Sequence, residues 1–268
     1  MEIHNRLSQA AFCFNELLFD EIPSDYITYY WYEYSKKRII TRFDRDNILN
    51  VCYKIISAED STFRNRDVRV AVNPCIRDAT LNRRYIKLEC AGLKAVCADI
   101  YMSRSRYRNP DHTSMNRLDC FKRFPPSLLI QPSPNRLCVF WCLEEFWERT
   151  CENAALMDNF LKEFNRIFRE RYDGYYVEPV QDLAYAVHVP GTVNRKDPAN
   201  PFPVRLCSFD GSKIVPNPGY SFTIRLLQHG NSPPITLHEN YVDETPIKRY
   251  SINEFFDAVG FSPRHDIV

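Results

Sequence analysis

The run Asp182-Leu183-Ala184-Tyr185-Ala186-Val187-His188-Val189-Pro190-Gly191-Thr192-Val193-Asn194-Arg195-Lys196 decides how this 268-residue chain is read. Residues 185–189 alternate like a strand, and Pro190-Gly191 turns the chain directly into Thr192, Asn194, Arg195 and Lys196. A carboxylate thus opens a strand whose far end carries polar and cationic groups. Divalent cations favour oxygen ligands and phosphates favour charged donors, so the stretch suits a metal at one end and a phosphate-bearing ligand at the other. By itself it is equally an ordinary polar strand and turn, and its neighbours must decide.

Upstream, residues 93–102 form a nearly continuous apolar run with one acidic residue, Asp99, which reads as a central strand. A carboxylate buried there is costly unless a metal, a cation or several donors meet it. Residues 127–131 and 137–143 are apolar and joined by Pro132-Ser133-Pro134-Asn135-Arg136, the pattern of a hairpin. Residues 144–171 then read as a helix, with Leu156, Phe160, Phe164, Ile167 and Phe168 on one side.

Nearer the start, residues 8–19 place Ala11, Phe12, Leu17 and Leu18 on one helical face, and residues 26–34 and 38–43 are strands rich in aromatic β-formers. That aromatic density suits a sheet packed between layers better than a base-stacking platform. A helix is expected over 44–56 and an alternating strand over 67–73, where Arg69 opposes Val68 and Val70. Beyond Lys196 come short strands at 204–209 and 213–215, an extended connection at 231–244, and a helix over 251–259 capped by Ser251 and stopped by Gly260. Hairpins interspersed with helices make an α+β chain.

Composition narrows the function. A formal net charge of +1 makes any nucleic-acid surface local, and residues 104–123, with Arg104, Arg106 and Arg108, hold the one cationic excess. Ten cysteines without paired zinc-ribbon spacing suggest free thiols in a reducing, cytoplasmic setting, and no run reaches membrane-spanning length. No Walker or dinucleotide glycine motif, no paired-histidine metal motif and no nucleophile elbow is present.

Four segments together resemble the primase domain of the plasmid RepB type, within the archaeo-eukaryotic primase-polymerase superfamily. Residues 67–74 resemble the early strand ending in Asn-Pro, and residues 96–101 the first motif, an apolar strand ending in Asp-x-Asp. Residues 126–143 resemble the second motif, with Phe140-Trp141-Cys142-Leu143 at its end, and residues 182–196 the third, Asp followed by Pro-Gly-Thr-x-Asn-x-Lys. The resemblance implies a primase-polymerase domain over 1–225, with an RRM-like antiparallel or mixed sheet core and an N-terminal α/β subdomain. Residues 226–268 are then a C-terminal extension with a short helix.

The same resemblance implies priming for a plasmid, phage or integrated element by metal-dependent, template-directed nucleotidyl transfer. Asp99 and Asp182 become catalytic ligands of magnesium or manganese. Ser133, Arg136, Thr192, Asn194 and Lys196 bind nucleoside triphosphate, and Arg104, Arg106, Arg108 and Arg195 meet single-stranded DNA. A replicative helicase is a further partner, and no membrane is involved. The departures are specific: Tyr101 stands where the first motif has its second carboxylate, Cys138 where the second has histidine, and Tyr185 and His188 where the third usually has arginines. Two ions in phosphoryl transfer need bridging carboxylates, which Glu89 or Asp119 could restore. A catalytically inactive member that binds single-stranded DNA, nucleotide or a replication protein is therefore the alternative, and a structural protein unrelated to priming the second.

Overall fold

A computed structural model describes residues 6, 9–10, 13, 26–34, 37–43, 48–59, 67–76, 89–101, 125–171, 176–178, 180, 183–209, 214–216, 248–259 and 261. Its strands are β1 (Tyr26–Tyr34), β2 (Lys37–Phe43), β3 (Val68–Ala71), β4 (Cys75–Ile76), β5 (Gly92–Tyr101), β6 (Leu128–Ser133) and β7 (Arg136–Glu148). They continue as β8 (Tyr176–Glu178), β9 (Ala186–His188), β10 (Val193–Asn194), β11 (Phe202–Pro203), β12 (Arg205–Phe209), β13 (Ile214–Pro216) and β14 (Arg249–Tyr250). Its helices with described bounds are α1 (Ile48–Glu59), α2 (Ala154–Arg171) and α3 (Ile252–Val259). The α+β expectation is borne out.

Among the described residues the strands form two larger sheets and a small third in which β10 pairs with β11. The first runs β2-β1-β3-β9 with β4 beside β1, and the second runs β13-β12-β6-β7-β5-β8 with β14 beside β7. Among the described residues all strand pairings are antiparallel except that of β14 with β7. Alternation divides β5 and β7 between two cores. Val96, Ala98, Ile100, Leu137, Val139, Trp141 and Leu143 meet α2 and α3 through Phe160, Phe164 and Phe255. Ala95, Cys97, Cys138, Phe140 and Cys142 meet Val68, Val70 and Val187 of the first sheet and Val51, Cys52 and Ile55 of α1. Asp99 follows the parity of Ala95 and Cys97, so the backbone aims it towards the first sheet.

The pairing of β5 with β7 slips between Leu93 and Ala95. Four residues of β7, 143–146, there face the single residue Lys94, and across this irregularity Leu93 joins the helix-facing core while Ala95 joins the other. Lys94 is wholly buried, and its Nζ donates to the Leu143 carbonyl at 3.2 Å.

The helix expected over 144–171 is corrected. β7 continues to Glu148 because Phe146 and Trp147 are β-formers and residues 147–148 pair with Leu93 and Gly92. Helix α2 starts only at Ala154, where Thr150 and Asn153 exchange bonds: Thr150 N–H donates to Asn153 Oδ1 at 2.8 Å, and Asn153 N–H to Thr150 Oγ1 at 3.3 Å. Ser251 caps α3 as expected, in a reciprocal box with Glu254. Arg6, Gln9, Ala10 and Cys13 are helical. Ala11, Phe12, Leu17 and Leu18, residues 231–244 and Gly260 lie outside the described residues, and no described helix is long and apolar enough to cross a membrane.

Asn165 ties α2 to the segment that leads into the third motif. Buried, it accepts from Val180 N–H at 2.9 Å and donates to the Val180 carbonyl at 3.0 Å. Asn165→Ala strands both backbone groups and is expected to cost about 2 kcal/mol in urea denaturation. A change within 0.5 kcal/mol, the usual range for an innocuous surface substitution, would contradict that role.

Candidate functional site

Asp99, on β5, pairs in register with Cys138 on β7 and with Glu178 on β8. Its side chain is 2% exposed, and both carboxylate oxygens have partners. Arg136, the first residue of β7, donates from Nη2 to Oδ2, and the Tyr185 hydroxyl donates to Oδ1 at 2.7 Å. The same guanidinium reaches the Tyr185 oxygen at 3.3 Å and lies over the Tyr101 ring, 5.6 Å from its centroid. Cys138 Sγ is 3.6 Å from the Tyr185 hydroxyl. Hence Tyr101, Cys138 and Tyr185, three of the four departures from the motifs, gather with Arg136 around Asp99, while His188 lies elsewhere, against Asp67.

The ionisation states follow from burial and charge. Burial lifts the Tyr185 phenol well above its ordinary range, with Cys138 and Asp99 adding to the rise, so it remains a neutral donor. Burial also lifts the Cys138 thiol, and the neighbouring carboxylate adds to that. Burial works against the Arg136 charge but is outweighed by Cys138, Tyr185 and Asp99. Since the thiol and phenol are neutral near pH 7, the Asp99 carboxylate is the anion that holds the guanidinium there. Arg136 Nε is buried with no partner among the described residues.

The third motif is held by its own bonds. Pro190-Gly191 forms a turn closed by Thr192 N–H on the Val189 carbonyl at 3.2 Å, with Gly191 at φ 83°. This is the type II pattern, proline then a residue of positive φ. A Cβ on Gly191 would lie 2.2 Å from the Arg6 carbonyl oxygen, so only glycine fits. Thr192 Oγ1 donates to Val189 O at 2.6 Å, and Asn194 Nδ2 to Pro132 O at 2.7 Å, while Asn194 Oδ1 accepts from Lys196 N–H at 3.0 Å. Both side chains are buried; Thr192 closes the turn on itself, and Asn194 ties it to the second-motif hairpin. Lys196 is exposed, Arg195 partly so, and Ser133 pairs with Arg136 across the Pro134-Asn135 turn. Asp182, Arg104, Arg106, Arg108 and Asp119 lie outside the described residues. Glu89 precedes the end of β5 opposite to Asp99, and at about 3.3 Å per residue that strand keeps the two apart.

A second polar cluster was missing from the sequence reading. Asp67 accepts from Arg195 N–H at 3.0 Å, with His188 Nε2 at 3.4 Å and Arg69 Nη2 at 3.7 Å. Burial resists the Asp67 charge, but His188, the Arg195 amide and Arg69 together hold its pKa below the ordinary value. His188 is held below the usual 6.5, chiefly by burial and further by Arg69 and Arg136, against the upward pull of Asp67. As pH falls through 6.5 the unfolded chain takes up that proton first, so stability conferred at higher pH is lost. Melting temperature is expected to fall from pH 7.5 to pH 5, with a shallower fall in His188→Asn. A slope that survives the substitution unchanged would contradict this.

Magnesium or manganese fits the described residues poorly. Among them no three His, Cys, Asp or Glu side chains group closely enough to hold an ion, and both Asp99 oxygens are engaged by Arg136 and Tyr185.

No family model matches the chain, and no curated protein does. Solved structures do. The primase-polymerase AEP domain of cyanophage S-2L is 9% identical, with a TM-score of 0.43 over 70% of this chain and 83% of that one. The catalytic domain of primase RepB′ in complex with initiator DNA is 14% identical, with a TM-score of 0.44 over 81% and 92%. Primase RepB′ is 12% identical, with a TM-score of 0.45 over 81% and 60%.

Proposed function

We propose that the chain is a primase-polymerase-type domain of a plasmid, phage or integrated element that binds single-stranded DNA and nucleoside triphosphate, with nucleotidyl transfer strongly attenuated. One observation carries this reading: the three motif segments meet at Asp99, yet the carboxylate is engaged by Arg136 and Tyr185. The convergence supports a site inherited from a nucleotidyl-transfer architecture. The ion pair supports a binding role, because a carboxylate committed to an internal cation is a poor ligand for a second one. Lys196 and Arg195, next to the rigid turn, are the cations offered to phosphate, with Arg104, Arg106 and Arg108 added along the DNA backbone.

The test is fluorescence anisotropy with a single-stranded oligonucleotide at several salt concentrations. Wild type is expected to bind, and the Arg104→Ala, Arg106→Ala, Arg108→Ala triple variant to bind more weakly with a flatter salt dependence. Affinity and slope unchanged in the triple variant would remove that segment from the interface, and no binding by the wild type would overturn the proposal. A second reading, full metal-dependent primer synthesis, is favoured by Glu178, which occupies the register position opposite Asp99 on β8.

A further inference from the structure

We infer that the Arg136 guanidinium is the resident cation of the Asp99 centre, taking the carboxylate in place of a divalent metal, and that its removal turns Asp99 into a metal-binding group. The inference concerns the ion at Asp99 and stands whether or not the chain binds DNA.

The geometry is that of a closed charge pair. Asp99 is 2% exposed, whereas the Arg136 side chain keeps 20% of its surface open, so solvent meets the cation and not the anion. Nη2 bridges Asp99 Oδ2 and the Tyr185 oxygen, while the Tyr185 hydroxyl donates to Asp99 Oδ1. The Tyr101 ring backs the guanidinium. A divalent ion would therefore have to displace a guanidinium that cannot deprotonate and a phenol that burial keeps neutral. It would also stand within a few ångströms of a fixed positive charge. Magnesium adds a demand for near-ideal octahedral oxygen geometry at about 2.0–2.1 Å, which the Tyr185 and Arg136 donors cannot supply.

The positions of Tyr101 and Arg136 give the arrangement an internal logic. They face one another across β5 and β7 in register, so the residue standing where the resemblance implies a second carboxylate is an aromatic surface on which the replacing cation rests. Among the described residues, Glu178 is an acidic position in register with Asp99, opposite it on β8. Without the guanidinium, the same strand pair offers two acidic positions with no counter-charge from β7.

Manganese binding provides the test, read by the electron paramagnetic resonance of free Mn²⁺ and by the manganese-dependent shift in melting temperature. Wild type and Asp99→Asn should bind manganese alike. Arg136→Gln should bind it about tenfold more tightly or better, in keeping with the usual sensitivity of metal affinity to groups bonded to a ligand, and should melt higher when manganese is present. Both gains should vanish in Asp99→Asn, Arg136→Gln. Should Arg136→Gln fail to fold, Arg136→Lys keeps the charge: it should fold and bind no better than wild type, and tight Asp99-dependent binding by it would overturn the inference. Manganese binding by wild type that Asp99→Asn abolishes, or an Arg136→Gln variant no tighter than the double, would overturn it as well. Oligonucleotide binding, followed separately by anisotropy on wild type, reports on the proposed function alone.

Discussion

Trp141→Ala is expected to lower stability by about 3–5 kcal/mol, the loss typical of removing a fully buried aromatic side chain. Trp141 is completely buried in β7, 5.4 Å from Phe164 of α2 and 6.2 Å from Phe255 of α3, with both rings edge-on at 75° and 72°. Edge-to-face pairs add about 0.5–1.5 kcal/mol beyond the area they bury. The indole thus fastens two helices, from the middle and the end of the chain, to the strand whose other face carries Cys138. Chemical denaturation should show the midpoint falling sharply, with Trp141→Phe retaining part of the loss. A cost below 1 kcal/mol for the alanine variant would show that α2 and α3 do not depend on this contact.

Arg136→Ala should cost about 3 kcal/mol, at the lower end of the range for breaking a buried ion pair because the guanidinium is partly exposed while Asp99 is not. The penalty comes mostly from leaving a carboxylate in an apolar setting with one phenol as partner. Asp99→Asn, Arg136→Ala should therefore be less destabilised than the sum of its single variants, by roughly 1–3 kcal/mol in a double-mutant cycle. Additive single effects would mean that the pair is not an energetic unit, and the account of the Asp99 centre would fail with it.

What could be read beforehand was what local chemistry fixes. Asp99 in an apolar central strand called for a metal, a cation or several donors, and it has the Arg136 cation and the Tyr185 hydroxyl. Pro190-Gly191 could only be a turn, and its second residue takes the positive φ that glycine tolerates. Ser251 announced a helix cap, and the structure adds the reciprocal bond from Glu254. The misreading at 144–148 has a local cause too: two glutamates beside aromatics suit an amphipathic helix as well as an edge segment, and only pairing with Gly92 and Leu93 decides for strand. Lys94 lay inside the run read as an apolar central strand, and its burial goes with a register irregularity that leaves no mark in spacing.

The site was legible in part, for a different reason. Arg136 was picked out as a phosphate contact, but its partner is 37 residues away on another strand, where register alone brings it to Asp99. Asp67 meets His188 and Arg195 across 121 and 128 residues, with no spacing rule to join them. Thr192 and Asn194 read as ligand donors because hydroxyl and carboxamide groups serve binding and turn chemistry alike, and here they make bonds to Val189 and Pro132.

The most direct measurement is template-dependent nucleotide incorporation on single-stranded DNA with magnesium or manganese. Wild type would be run beside Asp99→Asn, Asp182→Asn, with folding of both verified by circular dichroism and oligonucleotide binding measured in the same samples. The account predicts bound DNA with incorporation no greater in wild type than in the double variant. Robust incorporation that disappears in a folded double variant would contradict it, and would make this centre a working nucleotidyl transferase in which Arg136 gives way to metal.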